Sequence, residues 1–211
     1  MKELLLDSRV TYLMGNHEFM MMEALRDIRR FGGEWVGGKL ELWELNDAYP
    51  TLVAWAAAGS RYDWIHVIDK MPEYVEYTNT KGQIVGMCHA GFTPGARPIR
   101  RYDTVWDREH LTAAIPEEYQ DGHFMVVHGH TPVPYALMKF DELNQAAAWR
   151  KEDGKSAPAW EFREDKGAIF YGEGFVKVDI DCGCFATGHT VLLNLDTWET
   201  VGFDAKIEEQ Y

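Results

Sequence analysis

The sequence predicts an α/β protein, and three observations lead to that prediction. Short apolar runs such as 124–128 (FMVVH) have the length of buried strands. Longer segments carry apolar residues at helical spacing, and Gly-rich turns separate the two kinds of segment. Hydrophobic residues make up 46% of the 211 residues, which is enough to bury a core and excludes a disordered chain.

The first part of the chain predicts one strand and three helices. Residues 9–14 (RVTYLM) are expected to form a short buried strand. A helix follows from about Glu18 to Phe31 and ends at Gly32-Gly33. Two further helices are expected to start near Asn46 and near Ser60. The first of these turns Leu52, Val53 and Trp55 inward, and the second turns Trp64, Ile65, Ile68 and Met71 inward.

The second part predicts mostly strands. Tyr74–Tyr77 should pair with Gln83–Cys88 across the turn Asn79–Gly82, and Phe124–His128 should form a third strand. The polar stretch 140–167 is predicted to be a surface insertion in a single domain that spans residues 1–211. The last three runs, FVKVDID, TVLLNLD and WETVGFD, predict a strand meander.

Charge and cysteine content limit the classes of partner. With 21 Lys and Arg against 34 Asp and Glu, the net charge is −13, which argues against nucleic acid and anionic membranes as partners. A phosphate-handling site would then need metal cations for its positive charge. Three cysteines without framework spacing indicate a reducing compartment, and no signal or membrane-spanning pattern is present, so we expect a cytoplasmic protein. Cys182-Gly183-Cys184 is too small a thiol set for a zinc site.

Three predicted strands end at a Gly that lies close to a His or an Asn in the sequence. The motifs are LMGNHE with Asn16, GMCHAG with His89, and VVHGHTPV with His130 or His128. Side chains at the carboxyl ends of strands converge on one crevice in α/β folds. Amide oxygen and imidazole nitrogen together suit Mn, Fe or Zn. A capping Asn followed by a solvated His would explain GNHE alone, but three such ends in order favour a metal site.

The motifs GNHE (15–18), HAG (89–91), GHTPV (129–133) and IDCGCFATG (180–188) follow one another as in a known family. In order and spacing the chain resembles the calcineurin-like metallophosphoesterases. It is most similar to the bacterial and phage branch of the phosphoprotein phosphatases, which WDRE (106–109) also fits. The resemblance runs from Leu13 to Leu195 and implies a two-sheet sandwich flanked by helices.

The resemblance implies a role for individual residues. Asn16, His89 and His130 would be ligands of the second of two metals, with Mn²⁺ the expected ion, and His128 would be structural. His17 would be the general acid that protonates the leaving oxygen, and Glu18 either orients it or favours the helix start. Arg108 of WDRE would hold the substrate phosphate, although Arg97, Arg100 and Arg101 lie close in sequence.

The implied activity is metal-dependent phosphoester hydrolysis. Two metals about 3.5–4 Å apart would activate a bridging hydroxide and hold the phosphoryl group for in-line attack. The expected substrate is phosphoserine or phosphothreonine in a protein. Two alternatives stay open: hydrolysis of dinucleoside polyphosphates or another small phosphoester, and a non-catalytic remnant that binds a partner.

The sequence departs from the family at its start. The family's earlier motifs, which hold the first metal and the bridging Asp, both contain Gly-Asp, and this sequence has no Gly-Asp dipeptide. We therefore expect a fold that lacks its N-terminal strands: a fragment or incomplete gene product, one half of a split enzyme completed by another chain, or a decayed homologue. We also expect weak binding of a single metal, little or no catalysis by this chain alone, and an open sheet edge prone to aggregation.

Overall fold

The structure is a computed structural model, and it describes residues 7–31, 38–59, 63–96, 101–149, 160–163 and 168–204. The chain divides into two compact units, Met1–Glu73 and Tyr74–Tyr211, which are described separately below. The single domain expected from the sequence stays a prediction. The α/β class is confirmed, because helices accompany a six-stranded mixed sheet.

The first unit is helical in its described part. Its helices are α1 (Asn16–Phe31), α2 (Gly38–Glu44), α3 (Tyr49–Ala57) and α4 (Asp63–Ile68). Helix α1 packs against α2 and α4, and ends at the predicted residue. The buried apolar side chains that hold these helices together are Met14, Met20, Met22, Ala24, Leu25, Trp43, Ala48, Ile65 and Ile68.

Two predictions for this unit are wrong. Residues 9–14, predicted as a strand, form none, because a strand needs a hydrogen-bonded partner strand. The Met14 N–H does donate to the Pro72 carbonyl (2.9 Å), but this contact is not part of a ladder. The helix expected near Asn46 begins at Tyr49, with Pro50 in its first turn, and Val53 is exposed.

The second unit is built on a six-stranded sheet with strand order β1-β2-β3-β6-β5-β4. Strands β2, β3 and β6 are parallel, and the outer pairs are antiparallel. The hairpin β1–β2 and strand β3 lie where the sequence predicts them. The strand bounds are β1 Val75–Thr78, β2 Ile84–Met87, β3 Phe124–His128, β4 Trp160–Arg163, β5 Ala168–Tyr171 and β6 Lys177–Asp179.

Helices and short turns connect these strands. The helices are α5 (Arg101–Trp106), α6 (Val133–Trp149) and α7 (Cys184–Thr187), with 3-10 helices at Glu109–Leu111, Glu117–Tyr119 and Glu173–Phe175. The stretch 140–167 is not wholly peripheral. Phe140 is fully buried against Tyr171, and β4 pairs with β5 as an edge strand of the sheet.

The predicted terminal meander is wrong in its pairing. Strands β7 (His189–Leu193) and β8 (Thr200–Asp204) form a separate antiparallel hairpin, while β6 belongs to the large sheet. Helix α7 lies between β6 and β7 and is bounded by Gly183 (φ 64°) and Gly188 (φ 68°). These left-handed positions turn the chain at both ends of the helix, so β7 does not continue beside β6.

The two faces of the large sheet carry different side chains. Met125, Val127, Phe170 and Val178 belong to one apolar cluster. Because side chains alternate along a strand, the intervening residues point to the opposite face. That face carries a group of buried polar and ionisable residues, which are His128, Tyr171, Lys177 and Asp179. Among the described residues no helix is long and apolar enough to cross a membrane.

Candidate functional site

His89 and His130 are brought together by neighbouring parallel strands. His89 lies two residues after β2 and His130 two residues after β3, and Met87 is in register with Val127. The Gly129 N–H donates to the His89 carbonyl (2.9 Å) and so ties the two strand ends together. The Nε2 of His89 lies 3.2 Å from the Nδ1 of His130. The structure thus pairs two of the residues predicted to bind metal.

The turn that carries His130 has a strained backbone. His130 has φ 67°, in the left-handed region, and the Thr131 N–H donates to the Gly129 carbonyl (2.8 Å). A hydrogen bond from the N–H of residue i+2 to the carbonyl of residue i, across a central residue with positive φ, is typical of the rare and strained form of the γ-turn. The turn is held on both sides, because the Val133 N–H also donates to the Asp181 carbonyl (2.7 Å). Strain that the surrounding structure maintains is typical of functional sites.

The separation of the two imidazole nitrogens fits shared coordination of one ion. Two nitrogens each about 2.0–2.1 Å from a metal lie roughly 2.8–3.4 Å apart at octahedral to tetrahedral angles. The observed 3.2 Å lies in that range, and it is also the length of a hydrogen bond between the two rings. No group of three or more His, Cys, Asp or Glu side chains suited to a metal occurs in the described part of the chain. The described part of the chain therefore brings two of the predicted ligands together, and a metal at this point stays a prediction.

Trp106 and Arg108 belong to the WDRE motif, and Trp106 contacts the pair. The ring of Trp106 meets the ring of His130 edge to face, with centroids 5.8 Å apart. Arg108 is exposed and immediately precedes the 3-10 helix at Glu109–Leu111. Among the other basic candidates, Arg97 and Arg100 lie outside the described residues.

A buried hydrogen-bonded network lies on the same strand ends. The imidazole of His128 is fully buried, with Nε2 2.7 Å from the Tyr171 hydroxyl and Nδ1 3.1 Å from the Gly129 carbonyl. Burial holds the pKa of His128 well below its usual range, with the nearby His110 adding to this, so the ring is neutral. A carbonyl only accepts, so Nδ1 carries the proton and Nε2 accepts from Tyr171. These contacts fit the structural role expected of His128.

Three further buried ionisable groups beside His128 and Tyr171 were not singled out from the sequence. Lys177 is buried, donates to the carbonyls of His110 and Ala113, and lies over the Tyr171 ring (5.1 Å). Burial lowers the pKa of Lys177 to about 8. Burial also raises the pKa of Asp179 well above its usual range.

The third is His110, whose ring packs edge to face on His128 (4.7 Å) and is itself buried. Its Nδ1 lies 3.7 Å from Asp107 Oδ2, which is too long for a hydrogen bond. The sequence did hold a signal for part of this network. Lys177 and Asp179 lie within the apolar run FVKVDID. Such a run predicts a strand that is buried on both faces, so these two charged residues are expected to be buried as well.

Asn16, His17 and Glu18 lie at the start of α1 in the first unit. Asn16 is buried and His17 is exposed. The Gly15 carbonyl accepts the first helical hydrogen bond from Phe19 (3.0 Å), and the Gly15 N–H donates to Glu18 Oε2 (3.1 Å). This is the carboxylate half of a capping box. Of the two readings of Glu18, its contact favours stabilisation of the helix start.

The two buried cysteines are held as thiols. Cys88 and Cys182 are buried, and burial raises the pKa of Cys88 to about 12 and that of Cys182 to about 11. Cys184 is exposed. All three are free cysteines, as the odd number and spacing predict.

No protein-family model matches the chain, and no curated protein matches it in sequence.

Proposed function

We propose that this chain binds a divalent metal, with Mn²⁺ the expected ion, and that the metal serves phosphoester hydrolysis. The observation that carries the proposal is the His89–His130 pair, 3.2 Å apart on a strained turn at the ends of two parallel strands. The resemblance of the motifs to calcineurin-like phosphoesterases supplies the reaction class, the two-sheet fold and the protein phosphomonoester substrate. Asn16 is the proposed third ligand.

Each residue of the proposed site would have a different chemical role. His89 and His130 would hold the ion through neutral imidazole nitrogens, so metal affinity falls as the pH is lowered. When bound, the metal supplies an activated hydroxide and neutralises phosphoryl charge. Arg108 would donate to phosphate oxygens through its guanidinium, and the exposed His17 would protonate the leaving oxygen. His128 and Tyr171 would hold the β3 end rigid beneath His130.

Metal titration tests this proposal directly. Purified protein is titrated with Mn²⁺, and the free ion is followed by electron paramagnetic resonance. We compare the unaltered chain with His89→Ala, with His130→Gly, and with His123→Ala as control. Glycine is chosen at 130 because it tolerates the positive φ there. His123 is an exposed histidine whose ring contacts Asp121, away from the β2 and β3 carboxyl ends.

We expect one weakly bound Mn²⁺, at least about tenfold weaker binding in both site variants, and no change in the control. Equal binding by all four proteins would refute the metal site.

The same proteins are then assayed with p-nitrophenyl phosphate. Because the sequence has no Gly-Asp motif, we expect slow Mn²⁺-dependent hydrolysis, below the roughly 1–10³ s⁻¹ of ordinary enzymes, that His17→Ala removes. An ordinary rate would contradict the expectation of an incomplete site. Mn²⁺ binding with no hydrolysis at all would favour the non-catalytic binding module.

A further inference from the structure

The first unit contains a basic groove on the side of α1 and α4. The groove is a cavity of about 480 Å³. Arg29 and Arg30 follow Arg26 by three and four residues, so the three arginines lie on one face of α1, and α4 and the residue after it close the opposite side. The lining residues are Arg26, Arg29, Arg30, Ile65, His66 and Asp69.

The positive charge of this groove exceeds what its own acidic residues neutralise. Arg26 pairs with Glu23 (3.1 Å) and Asp69 (2.9 Å). Within the described ranges, neither Arg29 nor Arg30 forms an ion pair, and both are exposed. Basic residues in the last turn of a helix favour its dipole, which explains two arginines on α1. It does not explain why they line a cavity together with an imidazole.

A second cavity shares a lining residue with the first. It has a volume of about 390 Å³, and His66 lines both. Its wall is largely apolar, with one cation from Lys70, and the remaining lining residues are Val10, Thr11, Tyr12, Val67, Met71 and Pro72. The two cavities thus offer a basic surface and a largely apolar surface, with His66 in the lining of both.

We propose that this groove binds a small phosphorylated organic molecule. Its phosphate would lie against Arg29 and Arg30, since planar guanidinium groups match phosphate oxygens in paired hydrogen bonds. Its organic body would extend past His66 into the apolar cavity. Both volumes lie within the roughly 300–1,000 Å³ of small-molecule sites. The net charge of −13 repels large polyanions, which favours a small ligand.

The test uses phenylphosphonate, a phosphate mimic that a phosphatase cannot hydrolyse. It is titrated into isotope-labelled full chain with a chelator present, and the arginine Nε–H and His66 ring signals are followed by NMR. The variants are Arg29→Ala, Arg30→Ala and Arg29→Lys. The control is Arg9→Ala, an exposed arginine of the same unit that pairs with Asp7 outside the groove.

We expect saturable shifts at Arg29, Arg30 and His66 and about tenfold weaker binding in each alanine variant, with Arg9→Ala unchanged. The lysine variant should also bind more weakly, because it loses the guanidinium fork. His89→Ala should not alter the binding, so failure of the metal proposal would leave this one standing.

Four results would overturn the proposal. The first is the absence of saturable shifts, and the second is unchanged binding in a protein that carries both alanine changes. The third is equal affinity for inorganic phosphate and phenylphosphonate, which would show that the organic part of the ligand does not contribute to binding and that the groove is a simple anion site. Much tighter binding of a phosphoserine tripeptide would assign the groove to a peptide and not to a small molecule.

Discussion

At the scale of single residues, the buried ionisable groups on one face of the large sheet explain how the strand ends are held. Lys177 and Asp179 alternate with Val178, so both point to the face that carries His128 and Tyr171. Lys177 donates to the backbone carbonyls of His110 and Ala113. Its charge is costly to bury, however, and this cost is measurable.

Lys177 should make stability rise with pH. Its pKa is about 8 in the folded protein against 10.5 for an ordinary lysine. Between these values the unfolded chain binds more protons, so the free energy of unfolding increases as pH rises through this window. Below pH 8 both states are protonated and the burial cost is present in full. From pH 7 to 9.5 the protein should gain about 2 kcal/mol relative to Lys177→Met.

Urea unfolding of both proteins at several pH values measures this difference. The comparison with Lys177→Met cancels the other groups that titrate in the range. A difference between the two proteins that stays constant from pH 7 to 9.5 would show that the lysine keeps an ordinary pKa. Lys177→Met also loses the two contacts with backbone carbonyls. This loss changes the free energy of unfolding by the same amount at every pH, so it differs from the pH-dependent change that the pKa predicts.

The residues of the site were predictable to different degrees. His89 and His130 follow apolar runs that end in Gly, and the parallel pairing of those runs brings them together. The positive φ of His130 was not predictable, because it depends on hydrogen bonds to His89 and from Val133 to Asp181. Those partners are distant in sequence, so no local pattern contains them.

At the scale of secondary-structure elements, the sequence predicted correctly those elements whose alternating apolar residues and turn residues were both present. The hairpin β1–β2 has alternating apolar residues and a turn at Asn79, whose side chain accepts from the N–H groups of Lys81 and Gln83. Residues 9–14 have the apolar composition of a strand but no partner strand in the described chain. Strand formation depends on pairing, so composition alone predicted it wrongly.

Helix α1 depends on a local cap that can be tested. Glu18 accepts from the Gly15 N–H (3.1 Å), and glutamine can make the same contact. Glu18→Ala should lower the free energy of unfolding by about 1 kcal/mol, while Glu18→Gln should lower it by much less. Urea unfolding followed by circular dichroism measures both. If the two variants lost stability equally, the carboxylate charge and not the capping contact would be what matters.

At the scale of the whole molecule, charge and exposed apolar surface act in opposite directions. The net charge of −13 keeps molecules apart at low ionic strength. One face of the β7–β8 hairpin is nevertheless apolar: Leu192 is 63% exposed, Val201 57% and Phe203 48%. Leu192 and Val201 are direct partners across the two strands, so these side chains form a continuous patch. Such a patch favours association once the charge is screened.

Self-association should therefore increase with salt and depend on this hairpin face. We expect the weight-average mass to stay near the 24.3 kDa monomer at low salt. At about 0.5 M salt the Debye length falls to a few ångströms and the mass should rise. Threonine keeps strand propensity, so Leu192→Thr combined with Phe203→Thr should restore the monomer without unfolding the hairpin. Sedimentation velocity at matched protein concentrations measures the mass.

The control for this experiment is Leu45→Thr, because Leu45 is more exposed (78%) but lies just after α2 and is not part of a strand. If exposed apolar area alone drives association, this control should reduce association at least as much as either hairpin substitution. A continuous sheet face predicts that the control has no effect, since single exposed leucines are ordinary on protein surfaces. A protein that stays monomeric at every salt concentration would contradict both, and would mean that β7 and β8 tolerate their exposed face without a partner.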